Sequence, residues 1–413
     1  MPGVPLDVLV IGGGVAGLWT LASLRQAGCQ ALLVEGFRLG TGQTIASQGI
    51  LHSGLKYSLA GVLTAAAREA REMPALWRQC LAGQAYPNLS RVQVSAQAFH
   101  LWGTQSAGSK LGLLGAQMGL KVTPQAVPAS EMPQLLRGCP GSVYRVNEQV
   151  LEPASLIEGL ARPVAESIVR VDPQTELEFE TLGPGRVRQV HLHAARAGLT
   201  QSLQPKVVVL LAGRGNAGLR DRLQLDRSVM QLRPLHYVLL RGALPEFHGH
   251  CVDFHRTRVS ITSARDSQGR VVWQVGGQIS EVGVAMSSDA LIQHTRAELQ
   301  AVFPALDLTG TEWTTCRVDR AEGTTATGSR PDSYRLFEEG NVLTGWPTKL
   351  VLAPQLAAEV VRRVGRVIPL RGEPVGSAFS LPGWPRPEVA RPAWEEIRNW
   401  VALPGEIVRR RAA

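Results

Sequence analysis

Asp7-Val8-Leu9-Val10-Ile11-Gly12-Gly13-Gly14-Val15-Ala16-Gly17, continued by Leu18 to Ala27 and by Ala31-Leu32-Leu33-Val34-Glu35, decides how the rest of the chain is read. Val8 to Ile11 make a short buried strand. The glycines break it, and Leu18 to Ala27 follow as an apolar-rich helix with no proline. A second strand, Ala31 to Val34, ends at Glu35. Gly12, Gly14 and Gly17 fit G-x-G-x-x-G, where the glycines give a tight turn, room for a pyrophosphate beside backbone, and close packing of helix on strand. Val15 and Ala16 then open a helix whose amino end faces the phosphates. Glu35 stands where a carboxylate can accept hydrogen bonds from an adenosine ribose hydroxyl, which argues against a 2'-phosphate there. The competing reading, a glycine-rich turn without a ligand, does not explain why strand, turn, helix, strand and acid come in register.

At 413 residues the chain is long enough for two domains and a core that needs no staples, and a hydrophobic content of 44% agrees. The cysteines Cys29, Cys80, Cys139, Cys251 and Cys316 form no C-x-x-C pair, so neither a disulfide framework nor a thiolate zinc site is expected, and a reducing cytoplasm is. Acidic Asp7 precedes the first apolar run, which reads as a core strand and no signal peptide. No apolar run approaches the roughly 18 residues of a spanning helix. The net charge of +9 fits an anionic substrate, an anionic membrane surface or nucleic acid. Because the basic residues are spread along the chain, a solvated surface is the default; peripheral contact with the inner membrane face stays open, and nucleic acid is not expected.

Beyond Glu35, Thr41 to Tyr57 is rich in glycine and hydroxyl residues yet keeps Ile50, Leu51 and Leu55 as apolar anchors, which suits a loop lying against a flat ligand. This run resembles the second flavin-contacting segment of the FAD-dependent D-amino-acid-oxidase-like superfamily. Flavin-linked glycerol-3-phosphate and L-2-hydroxyglutarate dehydrogenases carry a similar segment, matched here by His52, Ser53, Gly54, Leu55, Lys56 and Tyr57. The resemblance implies an α/β fold: an FAD-binding Rossmann-like domain with an inserted, mostly antiparallel β substrate domain. It further implies non-covalent FAD, since no residue matches a covalent attachment motif well. Cofactor contacts are expected from Gly42, Thr44, Ser47, Gln48 and Gly49 of this loop.

Ala60 to Ala82 reads as a helix kinked near Pro74, Ala98 to Trp102 as a strand, and Lys110 to Met118 as a helix. A proline-led helix over Ala154 to Leu160 returns the chain, in the resemblance, to the FAD domain, and the following strand lays Ile168 against the adenine. An exposed meander spans Glu176 to His193. Val207 to Leu211 is a continuous apolar run, as in a parallel strand covered on both faces, and ends in Ala212 and Gly213, which resembles a third flavoprotein signature. Alternating runs at Tyr237 to Leu240, Val259 to Thr262 and Val271 to Val275 imply an antiparallel sheet, followed by a helix from Ser288 to Phe303. Last, Val342 to Pro354 resembles the strand, glycine loop and helix that meet the flavin pyrimidine, with Gly345, Pro347, Thr348, Lys349 and Leu350 at the cofactor. The expected division is 1–85, 150–228 and 336–370 for FAD, 86–149 and 229–335 for substrate, and a strap over 371–413.

An oxidoreductase of this kind needs a base or hydrogen-bond acceptor for the departing proton and cations for an anionic substrate. His52, in the flavin loop, is the first candidate for the base; tethering the loop is its alternative. Lys56 stands where glycerol-3-phosphate dehydrogenases hold the substrate's anionic end, and a solvated lysine is the alternative. Arg317 follows Trp313 in a W-x-x-x-R arrangement resembling amine-oxidising relatives, with Arg320 and Arg330 as rivals. His236, beside Arg233, is either a pocket residue or a satisfied structural histidine. His248, His250, Cys251, Asp253 and His255 match no zinc spacing, so no metal is expected. The expected function is oxidation of a small 2-hydroxy acid, polyol phosphate or amino acid, with oxygen or a quinone as electron acceptor. The rivals are a flavin monooxygenase, an RNA-modifying or RNA-binding flavoprotein, and a flavin-binding scaffold.

Overall fold

A computed structural model describes residues 3–52, 65–104, 125–139, 141–253, 256–373 and 378–403. Its first sheet grows from the apolar runs of the opening stretch. Val4–Ile11 lies between Leu199–Leu210 on one side and Ala31–Glu35 on the other, parallel to both. Ile168–Arg170 extends the sheet beyond Ala31–Glu35, and Val342–Trp346 beyond Leu199–Leu210, again in parallel. Parallel strands are covered on both faces, which is why these segments are apolar without alternation. The helices Val15–Gln26, Pro153–Ala161 and Ala353–Val364 pack on one face. Trp77 wedges beside Trp19 at 4.6 Å between ring centroids and donates to the carbonyl of Val351 at 3.0 Å.

The meander expected to be exposed is exposed on one side only. Its strands, Leu177–Thr181 and Val187–Ala194, join the same sheet and bury Leu177, Val187, Val190 and Leu192. Alternation is the signature of a half-covered strand, so one face was always available for burial.

Among the described residues the second sheet has nine strands, antiparallel except where Gly249–Asp253 meets Phe99–Gly103. At its centre Met230–Gly242 pairs with Glu312–Gly323 along its whole length and with Val271–Gly276. The three alternating runs all fall within strands, and the expected helix spans Ser288–Val302, started by Ser287, whose Oγ accepts from the backbone of Ala290. Leu291, Leu299 and Val302 bury its inner face against a core containing Trp102, Trp273, Trp313 and Phe303. The helix expected around Pro74 spans Ala65–Leu81 with that proline inside it. The one expected over Lys110 to Met118 lies outside the described residues.

The proline-rich strap ties both sheets. Leu39 exchanges backbone bonds with Glu388 and Ala390, Arg170 donates to Pro385, and Val401–Ala402 adds an edge to Glu312–Gly323. On the helix Ala353–Val364, the Nε atoms of Arg362 and Arg363 donate to Glu359 at 2.7 and 2.8 Å, and these bonds hold its carboxyl down at about 2. A depressed carboxyl stabilises the fold above the unfolded value of 4.5 and stops doing so as pH falls from there toward 2. Glu359→Gln is therefore expected to lower the neutral-pH Tm by a few degrees, to match wild type near pH 2, and so to flatten the fall of Tm between pH 4.5 and about 2, read by thermal scans across pH.

Candidate active site

The carboxyl ends of the parallel strands open on one cavity of about 1130 Å³, at the large end of the roughly 300–1,000 Å³ typical of small-molecule sites. Its floor is the glycine turn. Gly12 has φ +117°, and a Cβ there would lie 2.6 Å from the backbone of Ala212. At Gly17 a Cβ would meet the carbonyl oxygen of Gly12 at 1.8 Å, so helix and strand touch through backbone alone. Gly12, Gly14, Val15 and Ala16 line the cavity; Gly17 lies behind them, making the close packing.

Glu35 borders the same space. Its Oε2 accepts from Gly13 N at 2.6 Å and its Oε1 from Phe37 N at 2.9 Å. Burial raises its carboxyl, and the backbone bonds from Gly13, Phe37 and Gly36 oppose that rise. Asp172, Pro173 and Gln174, just past the strand Ile168–Arg170, join this wall. Ile168 itself is buried in the core under the sheet and does not reach the cavity, because its side chain points into the helix layer.

The loop after Glu35 divides its work. Gly42, Thr44 and Ser47 line the cavity, and Thr44 Oγ1 accepts from Val15 N at 3.3 Å. Gln48 and Gly49 serve as anchors instead. Gln48 Nε2 donates to the carbonyls of Gln274 at 3.0 Å and Ser260 at 3.3 Å, fastening the loop to the second sheet. Gly49 has φ +68°, with no room for a Cβ beside the Leu151 carbonyl.

At the far wall Ala212 and Gly213 stand next to Gly345, Pro347, Lys349 and Leu350. Asn216, fully buried, joins the two strand ends: its Oδ1 accepts from Ala212 N at 2.9 Å and its Nδ2 donates to Gly345 O at 3.4 Å. Thr348, at φ +63°, turns away from the cavity and donates to Ser333 O at 2.9 Å, while Lys349 Nζ donates to Asp332 O at 2.9 Å. Both side chains thus brace the loop 347–350 on residues 332–333. Sequence pattern alone could not single out Asn216, since one of its two partners is a backbone carbonyl in a strand 129 residues away.

Four residues were expected at the chemistry. His52 is half-buried, with Nδ1 3.2 Å from Glu148 Oε2, and is not among the residues that line the cavity. Lys56 lies outside the described residues. Arg317 borders the cavity, and its guanidinium donates to the carbonyls of Val284 at 3.2 Å and Met286 at 3.1 Å. His236 is directly opposite Arg317 in the strand pair, but it is buried off the cavity, with Nδ1 3.0 Å from Gly283 O. Burial lowers its ring's pKa, the Gly283 carbonyl opposes this, and Arg317 lowers it further; a neutral ring donating to Gly283 follows. His236 and Arg317 together clamp the turn 283–286. Arg320, the rival, donates to the carbonyl of Arg233, and burial and then Arg233 bring its guanidinium down to about 10.

The donor set fits an adenine dinucleotide: a cradle that side chains would fill, a helix amino end and a carboxylate at one end, and a second, mostly backbone wall where a flat ring system can lie. The sequence profile of the family described as FAD dependent oxidoreductase matches residues 7–353. A probable FAD-dependent oxidoreductase of Pseudomonas aeruginosa is 37% identical over 397 residues, covering 94% of this chain and 97% of its own. Its crystal structure superposes with a TM-score of 0.78 at 34% identity, over 95% of this chain and 99% of that one. Glycine oxidase from Geobacillus kaustophilus shares the fold at a TM-score of 0.60 and 16% identity, over 93% and 98% of the two chains. Glycerol-3-phosphate dehydrogenase from Bacillus halodurans, solved with FAD, does so at 0.55 and 16%, over 90% and 66%. No helix among the described residues is long and apolar enough to cross a membrane. With the cavity built from the glycine turn, the loop after Glu35 and the two strand ends, the chain belongs to the FAD-dependent oxidoreductase family and is an enzyme that works with FAD.

Proposed function

We propose that the protein oxidises a small anionic substrate, a 2-hydroxy acid, polyol phosphate or amino acid, with FAD held non-covalently in the cavity. The observation that carries this reading is Arg317, a cavity-lining residue whose guanidinium is held by two backbone carbonyls that use two of its N–H donors. A carboxylate or phosphate is the partner that such a fork takes best. Neither the nucleic-acid nor the monooxygenase alternative has an observation in its favour.

Gly12, Gly14, Val15, Ala16 and Glu35 hold the adenine nucleotide in this proposal, and Thr44, Ser47, Ala212, Gly213, Gly345, Pro347, Lys349 and Leu350 the rest of the cofactor. Bound there, FAD would supply a two-electron acceptor for the hydride of the substrate's C–H, with the O–H or N–H proton departing and that bond's electron pair forming the new C=O or C=N. His52 accepts the proton at Nε2, and Arg317 holds the anionic end. In this proposal the first sheet carries FAD and the second covers the substrate, following the division expected from sequence. Electrons then pass to oxygen or a quinone, in the cytoplasm, where the cysteines described as free would stay reduced.

Mixing the holoenzyme anaerobically with glycine, L-proline, L-2-hydroxyglutarate and glycerol 3-phosphate tests the substrate class through bleaching of the flavin band. For the compound that bleaches it, Arg317→Met is expected to raise KM roughly 10- to 100-fold, the loss of one charge-assisted pair. An unchanged KM removes Arg317 from the site.

A further inference from the structure

Glu148 has no place in the sequence motifs, yet it meets the flavin loop. It lies between the strands Val143–Val146 and Val150–Leu151 and is 3% exposed. His52 Nδ1 is 3.2 Å from its Oε2, across 96 residues of chain. Two backbone bonds beside this contact hold the segments in register: Leu51 N donates to Gln149 O at 2.9 Å, and Leu151 N to Gly49 O at 2.9 Å. His250, from Gly249–Asp253, stacks on the His52 ring with centroids 5.6 Å apart and planes 21° from parallel, and is itself backed by Phe99 at 4.4 Å. The imidazole of His52 is therefore fixed at one edge by a carboxylate and on one face by a ring.

We propose that Glu148 is the positioning residue of His52: it accepts the hydrogen on Nδ1, so that Nε2 is left as the proton acceptor. This rests on the reading of His52 as the base. A neutral imidazole carries one hydrogen, and the partner of one nitrogen decides the state of the other. The buried carboxylate also opposes the positive charge that the ring gains with the substrate's proton, as a carboxylate does behind a catalytic histidine in serine hydrolases. His250 restricts ring rotation, which keeps Nε2 in one direction.

The same trio places one ligand atom from each side chain within 4.8 Å of the others, a set that a divalent cation could use. Two features favour the hydrogen-bonded pair. Nδ1 is already engaged by the carboxylate. The near-parallel rings of His52 and His250, 5.6 Å between centroids, are accounted for by ring packing alone.

NMR of isotope-labelled histidines in the FAD-loaded protein tests this, with the His52 signals assigned by their loss in His52→Asn. The expected wild-type tautomer has its hydrogen on Nδ1; a hydrogen on Nε2 overturns the proposal without recourse to any variant. In Glu148→Gln the two tautomers mix, because an amide offers a donor as well as an acceptor. On the compound that bleaches the flavin, kcat of this variant falls about 10²- to 10⁴-fold with KM moving less than about twofold. Glu148→Asp restores both in part. An unchanged tautomer in Glu148→Gln contradicts the proposal even if kcat falls, since a purely structural role could lower kcat. Stoichiometric zinc in the purified protein that is lost in His250→Asn contradicts it as well, by making the trio a metal site. Unaltered kinetics in His52→Asn, with the tautomer response intact, would remove the base reading and leave the pairing standing.

Discussion

Gly17→Ala is expected to give protein that purifies without flavin colour. The added Cβ would sit 1.8 Å from the Gly12 carbonyl oxygen, well inside contact distance, and that oxygen belongs to backbone. Relief requires the helix Val15–Gln26 to move off the strand Val4–Ile11, which carries the turn away from the cavity wall at Ala212. Overpacking of this kind costs about 1–3 kcal/mol or more, so FAD affinity should fall at least about 10- to 100-fold. Fluorescence titration of apoprotein with FAD measures it. Gly42→Ala is the control: Gly42 also has positive φ and lines the cavity, but a Cβ there meets nothing within 4 Å, so only backbone strain of about 1 kcal/mol is at stake. Equal FAD affinity in Gly17→Ala and wild type would show that the turn is not the cradle.

The second large effect is on stability. Arg220 is fully buried at the end of the helix Asn216–Arg222. Its guanidinium grips Glu339 through both terminal nitrogens, at 2.6 and 3.0 Å, and also donates to Thr344 Oγ1 at 2.9 Å and to the carbonyl of Asp226 at 2.7 Å. One side chain thus joins two neighbouring strands, Arg335–Glu339 and Val342–Trp346, to a helix and a turn. Removing one partner of a buried pair leaves the other with an uncompensated charge, at about 3–5 kcal/mol. Arg220→Met should lower the apparent Tm by about 5–10 °C. Glu339 is partly exposed, so water can solvate the carboxylate left behind, which places the effect at the lower end. The double variant Arg220→Met, Glu339→Leu is expected to recover part of the loss, since no charge is then stranded. Calorimetry of wild type and the two variants reads this; a Tm within about 1 °C of wild type in Arg220→Met would show that the pair contributes little.

How far the sequence could be read follows from the range of each interaction. The glycine turn, the strand ending in Glu35 and the run Val207 to Leu211 are local patterns, and each took its expected place because both faces of a parallel sheet demand apolar residues. The division of the loop 42–49 into cavity-lining and anchoring residues was not legible. Gln48 looks like a ligand-binding amide in sequence, and only the partners at Ser260 and Gln274, brought alongside by the sheet, show it to be a fastener. His236 and Arg317 were separate candidates on chemical type. Their cross-strand register does bring them together, but the turn 283–286 that they clamp could not be foreseen from spacing. Glu148 carried no signal at all, since an isolated acid in a connection becomes meaningful only when a histidine loop is sewn beside it. Ile168 shows the reverse case: its strand took the expected place in the sheet, but the side chain points inward, and Asp172, Pro173 and Gln174 beyond the strand line the wall.

The central claim, that FAD in this cavity oxidises a small anion aligned by Arg317, is tested most directly by anaerobic reduction with matched compounds. Each acid or phosphate of the panel is compared with its neutral amide or dephosphorylated counterpart under the same conditions. The account predicts that one of the anions bleaches the flavin within the mixing time of a stopped-flow or bench experiment, that its neutral counterpart is at least about 100-fold slower at equal concentration, and that Arg317→Met removes most of that difference. Equal rates for charged and neutral forms, or a preference that survives Arg317→Met unchanged, would contradict it.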